Sequence, residues 1–253
     1  MERLLECKNI KKTFARGRMR VEALRGVSLT LEKGCALGIV GESGSGKSTL
    51  LRIIAGLERA DWGEMTFLGK RLGPRRTREE LREMQMIFQN AAASFNPRLR
   101  IYTSIGETMK NLTGSSPEEE IRSLALAVGL EPELCSRYPS QLSGGQCQRF
   151  AIARAISVRP SLLLCDEITS ALDVTTQAQI LELLRNMRSE GEMSMIFVSH
   201  DLAVVGEICD QILVMRRGEI VEAGESRRLL KNPRHEYTRL LLDSVLKLEK
   251  ETP

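Results

Sequence analysis

The 253-residue sequence predicts an α/β fold, and three observations carry that reading. Short β-capable apolar runs recur towards both ends of the chain, amphipathic helical stretches follow several of them, and the region from about residue 90 to 160 is helical in texture. The chain therefore reads as a βα core with a helical insertion, without internal repeats or low-complexity tracts.

Each element has its own signal. "LLECKNIKKTF" and "VEALRGVSLTLE" alternate in the manner of half-buried strands, and Lys33-Gly34 reads as a turn into a third strand, "CALGIV". Leu50, Leu51, Ile53, Ile54 and Leu57 then recur at helical spacing. "EMTFLGKRL" and "MQMIFQ" read as further short strands, and the basic run "PRRTREELR" at 74–82 as a solvated helix face. "PEEEIRSLALAVGL" opens with a proline and an acidic first turn, as helices do. "LSGGQCQRFAIARAI" is a second Gly-rich turn feeding a helix. Strand texture returns in "SLLLCDEI", "MSMIFVSH" and "QILVMRRGEIVEAGE", with the helix "TTQAQILELLRNMRSE" between the first two.

Composition narrows the class. Apolar residues make up 42% and charged residues 28%, as in an ordinary globular protein. No window approaches the ~18 uninterrupted apolar residues of a spanning helix, and "MERLLECKNIKK" has no secretory apolar core, so the chain is expected to stay in the cytoplasm. A net charge of +4 is too small to imply nucleic acid. The six cysteines lie far apart without a C-x-x-C pair, which predicts reduced, mostly buried thiols, and two histidines make a built-in transition-metal site improbable.

Two motifs carry the chemistry. "GESGSGKST", residues 41–49, fits G-x-x-x-x-G-K-[ST], the phosphate-cradling loop, and a strand enters it while a helix leaves it. Its members are Gly41, Glu42, Ser43, Gly44, Ser45, Gly46, Lys47, Ser48 and Thr49. Glycines let successive N–H groups converge on anionic oxygens, and the helix adds the positive end of its dipole. Lys47 would reach the β- and γ-phosphates, and the Ser48 hydroxyl would ligate Mg²⁺. An ordinary Gly/Ser turn is the alternative, but it does not require the Lys-Ser-Thr tail. In "LLLCDE", a buried strand ends in two adjacent acids, which cost desolvation unless they serve a cation. Asp166 can then hold Mg²⁺, leaving Glu167 to orient and polarise an attacking water.

With "LSGGQ" at 142–146, Gln89 in "MIFQN", "SALD" at 170–173 and His200 in "VSHD", the sequence resembles the nucleotide-binding subunit of an ABC transporter over almost its whole length. The resemblance implies a P-loop NTPase with a RecA-like core, an antiparallel β subdomain and an inserted helical subdomain, forming one ABC ATPase domain over 1–253. Residues 1–89 and 161–225 would supply the core with its β subdomain, 90–160 the helical subdomain with the signature motif, and 226–253 a C-terminal helical tail. ATP with Mg²⁺ is the implied cofactor, held by Ser48, Gln89 and Asp166. The resemblance casts Glu167, His200 and Gln89 as catalytic and Phe14 as the aromatic that stacks on adenine. A core phenylalanine is the alternative at Phe14, a strand-end cap at Gln89, and a hydrogen-bonded core residue at His200. Ser143, Gly144, Gly145, Gln146 and Asp173 would contact the ATP of an opposing subunit.

Two transmembrane permease subunits, a second and different ATPase chain, and an extracellular solute-binding protein are the implied partners. The chain itself would lie peripherally on the cytoplasmic face of the membrane. "SFNPR" and "NPRHEYTRLLLDSV" resemble the oligopeptide, dipeptide and nickel importer ATPases, although Glu236 follows His235 where that group usually has proline, and Ile168 also replaces a usual proline. Export, or a role outside transport, is the alternative.

Overall fold

The computed structural model describes all residues except 1, 18, 170–171, 190–192 and 252–253, with no side-chain description for 16 or 244–251. The chain forms two compact units, Met1–Arg76 with Ser194–Pro253, and Thr77–Met193. The first unit opens with β1 (Arg3–Arg16), β2 (Met19–Glu32), β3 (Ala36–Val40), α1 (Lys47–Ile54), β4 (Trp62–Phe67) and β5 (Lys70–Arg71). The second comprises α2 (Arg78–Glu83), β6 (Met84–Ile87), α3 (Ile101–Thr113), α4 (Glu118–Ala127), α5 (Gly144–Ile156), β7 (Leu162–Asp166) and α6 (Val174–Ser189), with short 3-10 turns between. The chain returns to the first unit with β8 (Ser194–Ser199), α7 (Leu202–Ile208), β9 (Gln211–Arg216), β10 (Glu219–Glu225), α8 (Ser226–Lys231) and α9 (Glu236–Glu251).

In the first unit, β2, β1, β4 and β5 form an antiparallel sheet in that order. Its alternation is what "VEALRGVSLTLE" predicts: Leu24, Val27, Leu29 and Leu31 are buried while Arg25, Ser28 and Thr30 face water. The pattern skips one residue after Leu24, where register shifts between β1 and β2 mark bulges. β3 pairs in parallel with β8 on one side and β9 on the other, and β9 turns back into β10. Every residue of β3 and β8 is buried, which explains why these strands read as continuous apolar runs. α1 buries Leu50, Leu51, Ile53 and Ile54. At its C-terminus the Arg76 guanidinium donates to Ile53 O at 2.9 Å, which also accepts from Gly56 N at 3.1 Å, and to Ile54 O at 2.7 Å.

In the second unit, β6 and β7 pair in parallel from Met84↔Leu162 to Ile87↔Cys165. Ile101, Ile105, Ile121, Ala125 and Phe150, all fully buried, join α3, α4 and α5 in a helical core. α2 arises from the basic run at 74–82 and buries no residue; a reciprocal Thr77–Glu80 capping box starts it. All six cysteines are free thiols, five buried and Cys35 half-buried, and burial pushes the Cys7 thiol up to about 12.

Candidate active site

The phosphate loop occupies the turn between β3 and α1, at the carboxyl end of a parallel strand where open α/β sheets place their ligands. Gly46 caps α1 with φ 106°, a left-handed conformation that suits glycine, and it supplies no side-chain cap to the first turn. No acid stands in that turn either. The helix start thus offers its donors and dipole outward. Lys47 is 4% exposed, and its Nζ donates to Gly41 O at 2.7 Å and Glu42 O at 3.0 Å. Ser45 Oγ is buried without a hydrogen-bond partner among the described residues. Ser48 and Thr49 follow in the first turn of α1, half-buried, while Glu42, Ser43 and Gly44 are exposed. A buried ammonium, open backbone donors and an orphaned hydroxyl fit an anionic ligand.

The β3–β8 register decides what stands beside the loop. Val40 pairs with Ser199, so Gly41 and His200 leave the sheet at neighbouring positions. His200 is exposed and so is no core residue. The next residue, Asp201, caps α7 by accepting from Ala203 N at 2.8 Å. Phe14 lies on β1 and is 42% exposed, which removes the core alternative. Lys12 Nζ stands 5.0 Å from its ring centroid and is held there by Glu58 Oε1 at 2.7 Å and Arg59 O at 2.8 Å.

Strand register also brings Gln89 and Glu167 together in the second unit. Because Ile87 pairs with Cys165, Gln89 and Glu167 each stand two residues past a matched pair, and Gln89 Nε2 donates to Glu167 Oε2 at 2.9 Å. Asp166 ends β7 and is 2% exposed. Glu167 has φ 47°, an uncommon left-handed conformation for a residue with a side chain, and such strain gathers at functional sites. Ile168, where the resembled family has proline, is buried and anchors the turn.

The signature turn is self-capped. Ser143 Oγ accepts from Gln146 N at 3.2 Å, and Gln146 Oε1 accepts from Ser143 N at 3.0 Å. The Ser143 hydroxyl serves this cap as acceptor, so its own proton has no part in the cap. Among the described residues a Cβ on Gly144 would meet nothing within 4 Å, so their packing does not dictate glycine there; at Gly145 it would make ordinary contact with Leu172 at 3.6 Å. Asp173 precedes α6 and its Oδ1 accepts from Thr176 N at 2.9 Å. Hydrogen bonds from Thr176 hold its carboxyl below the usual range. Ser170 and Ala171 of "SALD" lie outside the described residues. A cavity of about 300 Å³ gathers these segments, lined by Gln89, Gly144, Gln148, Ile168 and Leu172 among others.

Two residues escaped the sequence reading. Arg154 of α5 donates to Ser94 O at 2.8 Å and Ser94 Oγ at 2.9 Å and covers the Phe95 ring at 4.3 Å, tying the signature helix to the segment that follows Gln89. An arginine amid the apolar run "AIARAI" was its available signal; the side chain is half-buried. Tyr237, in the tail, accepts from Glu42 N of the phosphate loop at 2.9 Å. Its 195-residue sequence separation from Glu42 gives it no local signature.

Comparison with known proteins identifies the family. The family profile described as ABC transporter matches residues 24–170, and the oligopeptide/dipeptide transporter C-terminal region matches 221–253. The oligopeptide transport ATP-binding protein OppF of Escherichia coli is 44% identical over 247 residues, spanning 95% of this chain and 74% of that protein. OppF of Haemophilus influenzae is 43% identical over 245 residues, 94% of this chain and 74% of that protein. Among solved structures, the ATP-binding cassette MJ0796, a dimer in a post-hydrolysis state bound to ADP and Pi, aligns with a TM-score of 0.80 at 31% identity, covering 88% of this chain and 99% of that one.

Proposed function

The chain belongs to the ABC transporter ATP-binding family and hydrolyses ATP, and from that premise we propose that it powers import of peptides through a membrane permease. The observation that carries the ATP-site assignment is the phosphate loop itself: a buried Lys47 beside a helix start with no capping side chain. Phosphoryl transfer needs positioning and charge neutralisation more than covalent chemistry. In this reading the loop amides and Lys47 bind the phosphates, Phe14 stacks on the adenine, Glu167 orients and polarises the attacking water, and His200 contacts the γ-phosphate. Gln89 holds Glu167 in place and reports the site's state to the helical subdomain. Ser48, and in the second unit Gln89 and Asp166, each carry an oxygen of the kind a hard cation such as Mg²⁺ takes as ligand, and in this reading would hold it. Mg²⁺ arriving with the nucleotide supplies charge neutralisation.

Ser143, Gly144, Gly145, Gln146 and Asp173 serve a neighbouring subunit's nucleotide, which gives the unencumbered Gly144 a reason to be small. We place the chain peripherally on the cytoplasmic face, with two permeases, a homologous but different ATPase chain, and an extracellular solute-binding protein supplying the solute. Among the described residues no helix is long and apolar enough to cross a membrane, so the permeases would provide the path. The names of the relatives, together with the matched C-terminal region, favour peptide over nickel as the solute. Uptake of a labelled oligopeptide by cells lacking this chain tests the reading. Restoration by the wild type but not by Glu167→Gln supports it; restoration of nickel uptake alone, or of efflux, overturns it.

A further inference from the structure

The outer face of the phosphate loop is held from the C-terminal part of the chain. Gly218, in the β9–β10 turn, donates its N–H to Ser45 O at 2.9 Å, and a Cβ on Gly41 would stand 2.1 Å from Met215 O of β9. The next residue, Arg216, lays its guanidinium 4.8 Å from the centroid of the Tyr237 ring. Tyr237 is 2% exposed, and its Oη accepts the N–H of Glu42, the second residue of the loop. That N–H is therefore turned to the tail.

The tail turn that delivers Tyr237 is itself fixed. Glu222 accepts from the N–H groups of Arg234 at 2.8 Å and His235 at 3.0 Å, and His235 Nδ1 accepts from Tyr237 N at 3.1 Å. Burial would raise the Glu222 carboxyl, but hydrogen bonds including these two outweigh it and hold the group below its usual range. The segment "NPRHEYT" is thus a staple running from β10 to the phosphate loop.

We propose that Tyr237 is a positioning residue for ATP: its phenolic oxygen holds the first turn of the phosphate loop in the nucleotide-binding conformation, so that the C-terminal tail sets nucleotide affinity. The proposal rests on the assignment of residues 41–49 as the ATP phosphate site. A loop fixed before binding loses less freedom when the ligand arrives, so removal of the bond weakens binding without touching the groups that perform hydrolysis.

Tyr237→Phe keeps the ring and its stacking with Arg216 and removes only the acceptor. Titration of the full chain with Mg·ATP is expected to show Kd raised about 3- to 10-fold, the loss of one hydrogen bond, with kcat at saturating ATP within about twofold of wild type. Arg216→Gln, which leaves the phenol but removes its stacked cation, is expected to raise Kd about twofold, at the weak end of an exposed cation–π contact. Thermal unfolding without nucleotide is followed in parallel. An unchanged Kd for Tyr237→Phe, whether or not its Tm falls, makes the contact purely structural and overturns the proposal, as does a loss confined to kcat. Lys47→Ala in the same titration keeps the two ideas apart: if it binds as tightly as wild type, the phosphate-site assignment fails, whereas a weakened Lys47→Ala beside an unaltered Tyr237→Phe removes only the role of Tyr237.

Discussion

Two Gly-rich turns in this chain each start a helix, and they start it differently. At α1 the cap is Gly46, which supplies no side-chain cap, and a buried ammonium stands alongside. At α5 the Ser143 and Gln146 side chains satisfy one another's backbone in a full capping box. A helix start without a cap is completed by a ligand; one with a box is complete already and can present its remaining donors to something brought by another molecule. The contrast fits the proposal that the chain binds nucleotide with its first turn and assists a neighbour with its second.

The largest expected effect falls on neither turn but on Glu167, the residue proposed to polarise the attacking water. Glu167→Gln is expected to lower phosphate release about 100- to 10,000-fold while Mg·ATP affinity stays within about twofold, since an amide cannot accept the proton of water. Turnover near wild type, in a preparation free of other ATPases, would remove Glu167 from that role. Next comes the open turn: Lys47→Ala is expected to raise the Kd for Mg·ATP about 10- to 100-fold, as loss of a charged hydrogen-bond donor to phosphate should. Unaltered affinity would erase the difference between the two turns. Phe14→Ala is expected to raise the ATP KM about fivefold, the lower end for one base-stacking aromatic on an exposed strand. An unchanged KM would leave Phe14 as a surface residue paired with Lys12. The smallest effect belongs to the capped turn. Ser143→Ala is expected to cost about 1 kcal/mol of stability, a fall in Tm of about 2–4 °C, with nucleotide affinity of the isolated chain unmoved. An unmoved Tm would mean the box contributes nothing.

Much of this was legible in the sequence because its signals are local. β3, β7 and β8 are short runs buried on both faces, so composition alone marked them, and the phosphate loop is a contiguous motif whose glycines and lysine must fall in that order. The long first hairpin was read short at its ends: β1 and β2 run to Arg16 and from Met19, where Met19 and Val21 are exposed and the alternation lapses. Contacts between distant residues left no trace. That Gln89 meets Glu167 follows from the Ile87↔Cys165 register, which no single stretch encodes. The hold of Arg154 on Ser94 and of Tyr237 on Glu42 likewise depends on tertiary placement, which neither side chain's own stretch of sequence names.

The claim that one chain carries two half-sites is tested most directly by titrating Mg·ATP into the full chain bearing Ser143→Arg, beside wild type and Lys47→Ala. The account expects Ser143→Arg to bind within about twofold of wild type, because no group of the first turn is disturbed, while Lys47→Ala is weakened at least about tenfold. Loss of affinity in Ser143→Arg equal to that in Lys47→Ala, with both chains folded, would show the signature turn binding the same nucleotide as its own phosphate loop and would contradict the account.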